Sequence, residues 1–587
     1  MMRRDFIRST SLLAAGGALG RVAARPARGP NIVLILTDDQ GWGDIRSHGN
    51  GLIDTPTLDR LADEGARFDR FFVSPVCAPT RAALLTGRDH LRTGTCWVTH
   101  GLETMRAREV TVAESLRQAG YATGCFGKWH NGAHYPHHPN GQGFEEFIGF
   151  CAGHWNNYFD PRLERNGQPI RGKGYITDVF TDAALAFIEQ HRSEPFFCYV
   201  PLNAPHFPCQ LPDRYFGKYT ARGCDPTLAS VYGMVENIDD NVGRLLAKLD
   251  ELGLAKDTVV LFITDNGPNT QRYNGGMRGA KGSVYEGGVR VPCFVRWPGH
   301  IRPGAVVEPI CAHIDLLPTL LELCEAHRPE GPPIDGVSLA SLLFGGGEGW
   351  PDRRLFTHQA RNGSVFPAPG SLRTQQYRMV HADERNELYD MLADPGQGTD
   401  IAPQHPALVR DLAAAYDAWF ADATKDGFER IPIPVGYPQA PRVELPAPEA
   451  YFEGHVGFKG RIGWANDWLT GWTSASDRVW WNLDIVREGR YEVTLRYVCP
   501  EANVGSRIAV EIGGETLEAT ISEPYDPAPI PSPDRVPRGE PYEKEWAPLT
   551  LGSVNLRKGE ARLTVRATHI PGAEAMDLKA VEVRRAP

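Results

Sequence analysis

The chain of 587 residues has no C-x-x-C spacing, no basic excess and, after its first thirty residues, no apolar run long enough to span a bilayer. Each absence excludes a class. Without paired cysteines at that spacing there is no zinc ribbon or thioredoxin-like redox motif. With 62 Lys and Arg against 72 Asp and Glu, the net charge of -10 argues against a nucleic-acid partner. Without a run of about 20 apolar residues there is no transmembrane segment, and the mature protein is expected to be soluble. Internal repeats are missing too. The 11 cysteines are an odd number. In an oxidising compartment some could pair, one is left over, and Cys77 is the candidate for that one.

What is present begins with MMRRDFIRST, followed by a short apolar stretch from Leu12 to Leu19 and an Ala-rich tail. A charged start, a short apolar centre and small residues describe a signal peptide, residues 1–29, cleaved between Ala23 and Arg28. The Arg3-Arg4-Asp5-Phe6 order resembles the twin-arginine signal that exports folded proteins. The expected location is periplasmic or secreted from a bacterium, with the twin-arginine machinery as a partner.

Downstream, NIVLILT (Asn31 to Thr37) and TVVLFIT (Thr258 to Thr264) are near-continuous apolar runs, as for parallel strands buried on both faces. YATGCF, PFFCYV and PCFVRW are shorter runs of the same kind. Helical patterns lie between them, clearest where Val231, Val235, Ile238, Val242, Leu245 and Leu249 mark one face. The alternation predicts an α/β unit, a mostly parallel sheet flanked by helices, over residues 30–350. Residues 351–429 read as a small α+β subdomain, with FTHQA, YRMVHA and ELYDM as strands and a helix from Pro406 to Phe420. Residues 430–450 hold six prolines in the stretch Arg430 to Glu449 and read as a stiff linker. Residues 451–587 alternate like the strands of a β-sandwich.

The two long strands end in Asp38-Asp39 and Asp265-Asn266. Ligands of open α/β sheets bind outside the carboxyl ends of strands. Three carboxylates and an amide there repel unless a cation neutralises them, and all-oxygen donors suit Ca²⁺, with Mg²⁺ less favoured. Other strand ends supply Lys128 and His130, and His206. Lys281 sits in GGMRGAKGSVYEGGVRVP, whose six glycines permit close backbone approach. Lys128, Lys281, Arg81 and a metal would make an anion-seeking pocket, and His130 and His206 can move protons near neutral pH.

Within SPVCAPTRAALLTGR, Pro79 suits a first helical turn, Gly87 a helix end, and Arg81 falls one turn beyond Cys77. A thiolate would be favoured at the positive end of that helix. Three readings stay open for Cys77: a buried or disulfide-bonded thiol, a thiolate nucleophile, or a cysteine converted to something else.

SPVCAPTRAALLTGR resembles the C-x-P-[S/T/A]-R signature of the type I sulfatases, and GKWHNG their second signature, with Asn131 where a larger apolar residue is common. NIVLILTDDQGWGD, NAPHFP, VVLFITDNG, YEGGVRVP, HIDLLPTLLEL and ELYDMLADP extend the resemblance over roughly residues 30 to 425. It implies an alkaline-phosphatase-like fold. It also implies that a formylglycine-generating enzyme oxidises Cys77 to formylglycine (3-oxoalanine), hydrated to a gem-diol. Asp38, Asp39, Asp265 and Asn266 would hold one Ca²⁺, which also contacts residue 77. Arg81 would stabilise the diol alkoxide, Lys128 and Lys281 would bind sulfate, His206 would protonate the leaving alcohol, and His130 would take a proton from the second hydroxyl.

The expected activity is therefore that of an exported sulfatase acting on a sulfated sugar or polysaccharide. The alternatives are a phosphonate monoester or phosphodiester hydrolase using the same site, or an inactive glycan-binding protein. The sandwich, with six of the 13 tryptophans, resembles sugar-binding modules of polysaccharide-degrading enzymes, though Trp serves equally as core. The loop Glu523 to Pro541 reads as a rim element or as disorder, and His154 as a further pocket residue.

Overall fold

The computed structural model describes residues 29–347 and 350–586. The signal-peptide reading falls on residues 1–28, outside the described residues. The scaffold of the first unit is a ten-stranded mixed sheet. At its centre the strand Asn31–Thr37 lies between Phe196–Pro201 and Thr258–Thr264, parallel to both. Ala122–Lys128 and Glu146–Phe150 continue the parallel run. Why Asn31–Thr37 has no polar alternation is visible in where its side chains go. Ile32, Leu34 and Leu36 enter the core on one face, while Val33 and Ile35 enter the core on the other. The first face is covered by the helices Cys77–Thr86, Val112–Gln118 and Leu316–Leu323, the second by Ile176–Gln190 and Pro226–Glu251. The last begins at Pro226, behind Asp225, whose carboxylate accepts the Thr227 and Leu228 N–H groups.

Register sets the site. Thr37 is opposite Thr264 and Leu36 opposite Pro201, so three strands end level, and Cys125 opposite Tyr199 brings Lys128 to the same edge. The strand Cys293–Arg296, expected to be parallel, runs antiparallel to Thr258–Thr264. An apolar run records burial on two faces but not direction.

The α+β subdomain is an antiparallel meander of Leu355–His358, Gly370–Arg373, Tyr377–His381 and Asn386–Asp390, covered by the helix Pro406–Ala423 through Leu412, Tyr416 and Trp419. The third unit is two six-stranded sheets packed over Trp472, Trp481, Tyr491, Val510 and Leu563. The segment expected as a linker is part of it. Ile433–Val435 pairs with Arg478–Ile485, and Arg442–Pro446 pairs with Asp577–Arg585. Ile433–Val435 lies at a sheet edge, where Pro434, lacking an N–H, removes no ladder bond. Of the six tryptophans, Trp468, Trp472 and Trp481 are buried. All eleven cysteines are free, Cys77 among them. No helix among the described residues is long and apolar enough to cross a membrane.

Candidate active site

The helix Cys77–Thr86 carries the site and is buried at every residue, an unusual state for a helix containing Arg and two Thr. Its start is fixed by four contacts. Thr80 Oγ1 accepts the Ser74 N–H at 3.0 Å, and its hydroxyl donates to the Ser74 carbonyl at 3.2 Å. Asn131 Nδ2 donates to the Ala78 carbonyl at 3.0 Å, and the Gly282 N–H to the Pro75 carbonyl at 2.8 Å. Gly87 ends the helix at φ 68°, a conformation that costs a residue with a Cβ.

The residues expected from the sequence converge on that start. One ligand atom each from Asp38, Cys77 and Asp265 lie within 4.8 Å of one another, and so do those of Asp38, Asp39 and His206. Arg81 Nη2 donates to Asp265 Oδ2 at 2.8 Å and Nη1 to the Lys128 carbonyl at 2.8 Å. Lys128 Nζ is 2.6 Å from Asp38 Oδ2, and Lys281 Nζ is 2.6 Å from Asp39 Oδ1. Asn266 Nδ2 donates to Asp39 Oδ1 at 2.8 Å. Asp38 Oδ1 and Asn266 Oδ1 are buried without a partner. Sequence reasoning did not single out Asn269 or Arg272. Asn269 Nδ2 donates to Asp39 Oδ2 at 3.0 Å, and Arg272 Nη2 to the Asp39 carbonyl at 2.7 Å. Both follow the Asp265 strand end by a few residues, which was the available signal.

Clustered charge decides protonation. Burial and the neighbouring Asp38 push Asp265 up to about 7. Burial is the largest single influence and would raise Asp38 and Asp39, but Lys128, His206 and Arg81 together outweigh it at the first, and Lys281, His206 and Asn266 together at the second, so both carboxyls sit below the ordinary range. At Cys77 the balance goes the other way. Burial outweighs Lys128 and Lys281 and holds the thiol above its usual value, so the expected preference for a thiolate is not met. A helix N-terminus stabilises an anion, but taking a thiolate out of water costs more than that dipole returns.

The histidines differ in the nitrogen they leave available. His130 Nε2 is 2.9 Å from the Val98 carbonyl, so Nε2 carries the proton, and the buried Nδ1 has no partner. Burial, with Lys128 beside it, keeps His130 neutral well below its ordinary range. His206 Nδ1 is 2.7 Å from the Phe207 carbonyl, which leaves Nε2 facing Asp39 Oδ2 at 3.7 Å. His154 stacks on His206, ring centroids 5.8 Å apart and planes at 10°.

His138, Cys151 and Glu164 also come together elsewhere. There His138 Nδ1 accepts the Asn140 N–H at 3.3 Å, leaving Nε2 to donate toward Glu164 at 3.4 Å. That is a satisfied hydrogen-bond network and not a set of free donors.

The Sulfatase family matches residues 30–326, and the family described as N-sulphoglucosamine sulphohydrolase, C-terminal, matches residues 280–415. The chain is 35% identical to human arylsulfatase A over 444 residues, covering 68% of this chain and 83% of that protein. It is 35% identical to mouse N-acetylgalactosamine-6-sulfatase over 373 residues, 57% of this chain and 70% of that one. The crystal structure of Ps i-CgsB in complex with k-i-k-neocarrahexaose superposes with a TM-score of 0.65 at 28% identity, over 69% of this chain and 95% of that one. The phosphonate monoester hydrolase of Agrobacterium radiobacter, at 20% identity and a TM-score of 0.52 over 67% and 96%, shares the fold alone.

Proposed function

The chain belongs to the sulfatase family, the enzymes that hydrolyse sulfuric esters, and from that premise we propose an exported hydrolase of sulfated sugars that uses Ca²⁺ and a formylglycine made from Cys77. The carrying observation is the meeting of three buried carboxylates, Arg81, Lys128 and Lys281 at the first turn of the Cys77 helix. Sugar as the alcohol rests on the relatives, an N-acetylgalactosamine-6-sulfatase and a protein crystallised with a neocarrahexaose.

The residues fit a hard divalent cation. Asp38, Asp39, Asp265 and Asn266 offer oxygen donors only, and two of those oxygens, Asp38 Oδ1 and Asn266 Oδ1, are buried and unpartnered. When bound, the cation offsets the clustered carboxylates and draws charge from sulfate oxygens, while hydrated formylglycine supplies the oxygen nucleophile that a protonated thiol does not. The chain's own side chains do the rest. Arg81, held by Asp265, keeps a fixed positive charge beside residue 77. Lys128 and Lys281 present ammonium groups to an anion. With Nδ1 donating to the Phe207 carbonyl, the imidazolium form of His206 would bring its Nε2 proton to the departing alcohol. His130 can accept a proton on its free Nδ1, because Nε2 is tied to the Val98 carbonyl. The twin-arginine-like start supports conversion of Cys77 and folding before export.

Peptide mass spectrometry across Cys77, with parallel assays on 4-nitrophenyl sulfate, a phosphate diester and phenylphosphonate, tests this reading. The aldehyde mass, a dominant sulfatase rate and loss of that rate on chelation are expected. An unmodified thiol in fully active protein, or a dominant phosphonate rate, would overturn it.

A further inference from the structure

The C-terminal sandwich reaches the active site. Its proline-rich strap, residues 523–546, lies along the segment that holds His206. The Arg535 N–H donates to the Cys209 carbonyl at 2.8 Å, and Gln210 Nε2 donates to Ser532 Oγ and Asp534 Oδ1, each at 2.7 Å. Arg538 Nη1 donates to the Asn156 carbonyl at 2.9 Å. The strap is anchored to its own unit where Glu543 accepts from Lys579 Nζ at 2.9 Å and Trp546 Nε1 at 2.6 Å. Between these fastenings, Glu540 Oε2 meets His154 Nε2 at 2.9 Å. A second sandwich residue, Asn466, donates from Nδ2 to the His154 carbonyl at 2.9 Å. Burial is the largest single influence and would raise the Glu540 carboxyl, but His154, His206 and Arg538 together outweigh it and hold it down at about 2.

We propose that Glu540 is a positioning residue for the leaving-group step: it fixes His154, whose ring fixes the plane of His206. His206 has one ring hydrogen bond, through Nδ1 to the Phe207 carbonyl, and that bond alone leaves the ring free to tilt. The stacked His154 ring, 10° from parallel, restrains the tilt; its backbone is held by Asn466, and its Nε2 lies 2.9 Å from Glu540 Oε2 in an ion-pair contact that is off the angle of a hydrogen bond. His154 and Glu540 are 6% and 24% exposed at their side chains, so this contact is shielded from most competing water. The appended unit is then a part of the catalytic apparatus. This inference rests on reading His206 as the proton donor to the departing alcohol.

The test uses the full chain and aryl sulfates whose leaving groups differ in how much they need a proton. 4-Nitrophenolate leaves almost unaided, whereas phenolate needs assistance. His206→Asn should depress kcat/KM on phenyl sulfate far more than on 4-nitrophenyl sulfate. Glu540→Gln should shift that ratio in the same direction by about tenfold, since small misplacements of a reacting group cost up to ~100-fold. In the His206→Asn background, Glu540→Gln should add nothing to the ratio. Asp526→Asn, which breaks only the Lys544–Asp526 pair at 2.6 Å on the same strap, should leave both rates at wild type. The inference falls if Glu540→Gln lowers both substrates equally, if its effect persists without His206, or if Asp526→Asn matches it. If His206→Asn itself leaves the ratio unchanged, the proton-donor reading fails first and takes this inference with it.

Discussion

The sandwich and the edge of the catalytic sheet both bury carboxylates, but they treat them differently. In the sandwich, Asp477 accepts the N–H groups of His455, Thr473 and Ser474, and Asp467 those of Gly460 and Trp468. Glu582 pairs with Arg442 and Arg496 at 2.9 Å each. These groups close turns and bridge strands, and their oxygens are used up. At the sheet edge Asp38, Asp39 and Asp265 are packed within reach of one another, and an oxygen of Asp38 has no partner. A folded chain rarely leaves a buried polar atom unpaired without a use for it. Satisfied burial marks construction; unsatisfied burial beside like charges marks chemistry.

The largest expected effect separates the two regions outright. Cys77→Ala should lower kcat/KM on 4-nitrophenyl sulfate by more than about 10⁴-fold, the scale seen when a nucleophile is removed. Asp477→Asn should leave that rate within about twofold and cost about 1–2 kcal/mol in denaturant unfolding, the scale of a buried hydrogen bond spoiled. Comparable activity losses in the two variants would break the comparison. A second pair works through stability. Arg81→Ala strands Asp265 in the interior at a cost of about 3–5 kcal/mol, and Trp481→Ala opens the sandwich core for about 3–5 kcal/mol. Thermal melts with and without Ca²⁺ should tell them apart. The cation offsets the stranded charge, so it should raise the melting point of the first variant more than that of the second.

Much of the catalytic unit was legible because apolar runs and the polar residues that end them are local patterns. Asn31–Thr37 shows its double burial in seven consecutive letters, and Asp38-Asp39 follows at once. The strand direction of Cys293–Arg296 was not legible, since pairing partners are not encoded in a run of four. Proline content misled at 430–450 because composition does not reveal whether a missing N–H faces solvent or a neighbour. The helix-terminus argument for a Cys77 thiolate counted one favourable field and omitted desolvation. Glu540 lies in the loop Glu523 to Pro541, which reads as a rim element, and His154 reads as a pocket residue, but nothing in the sequence joins the two. The meaning of Glu540 comes from His154, in another unit of the chain, and only the fold brings them together.

The smallest expected effect lies at the seam between the regions. Glu103 of the catalytic unit has a buried Oε2 with no partner. Burial and then Glu449 of the sandwich push its carboxyl up to about 7, against weaker pulls from Arg430 and His134. Glu449 itself pairs with His134 at 3.1 Å. Because the folded value lies above the unfolded one, near 4.3, the native state keeps a proton that the unfolded chain has released. Its stabilising contribution is complete below about pH 4.3 and is lost as pH rises through about 7. Between about pH 5 and 8 the wild type should therefore lose about 1–3 kcal/mol relative to Glu103→Gln, which cannot ionise. Melting curves of both proteins at the two ends of that range should diverge, and curves that stay parallel would remove Glu103 from the seam's energetics. An unpartnered oxygen is thus not enough to mark a reaction centre. At Glu103 a single carboxyl answers burial by holding its proton, whereas Asp38 and Asp39, set among Lys128, Lys281 and His206, are held ionised and offer charged oxygens to a cation.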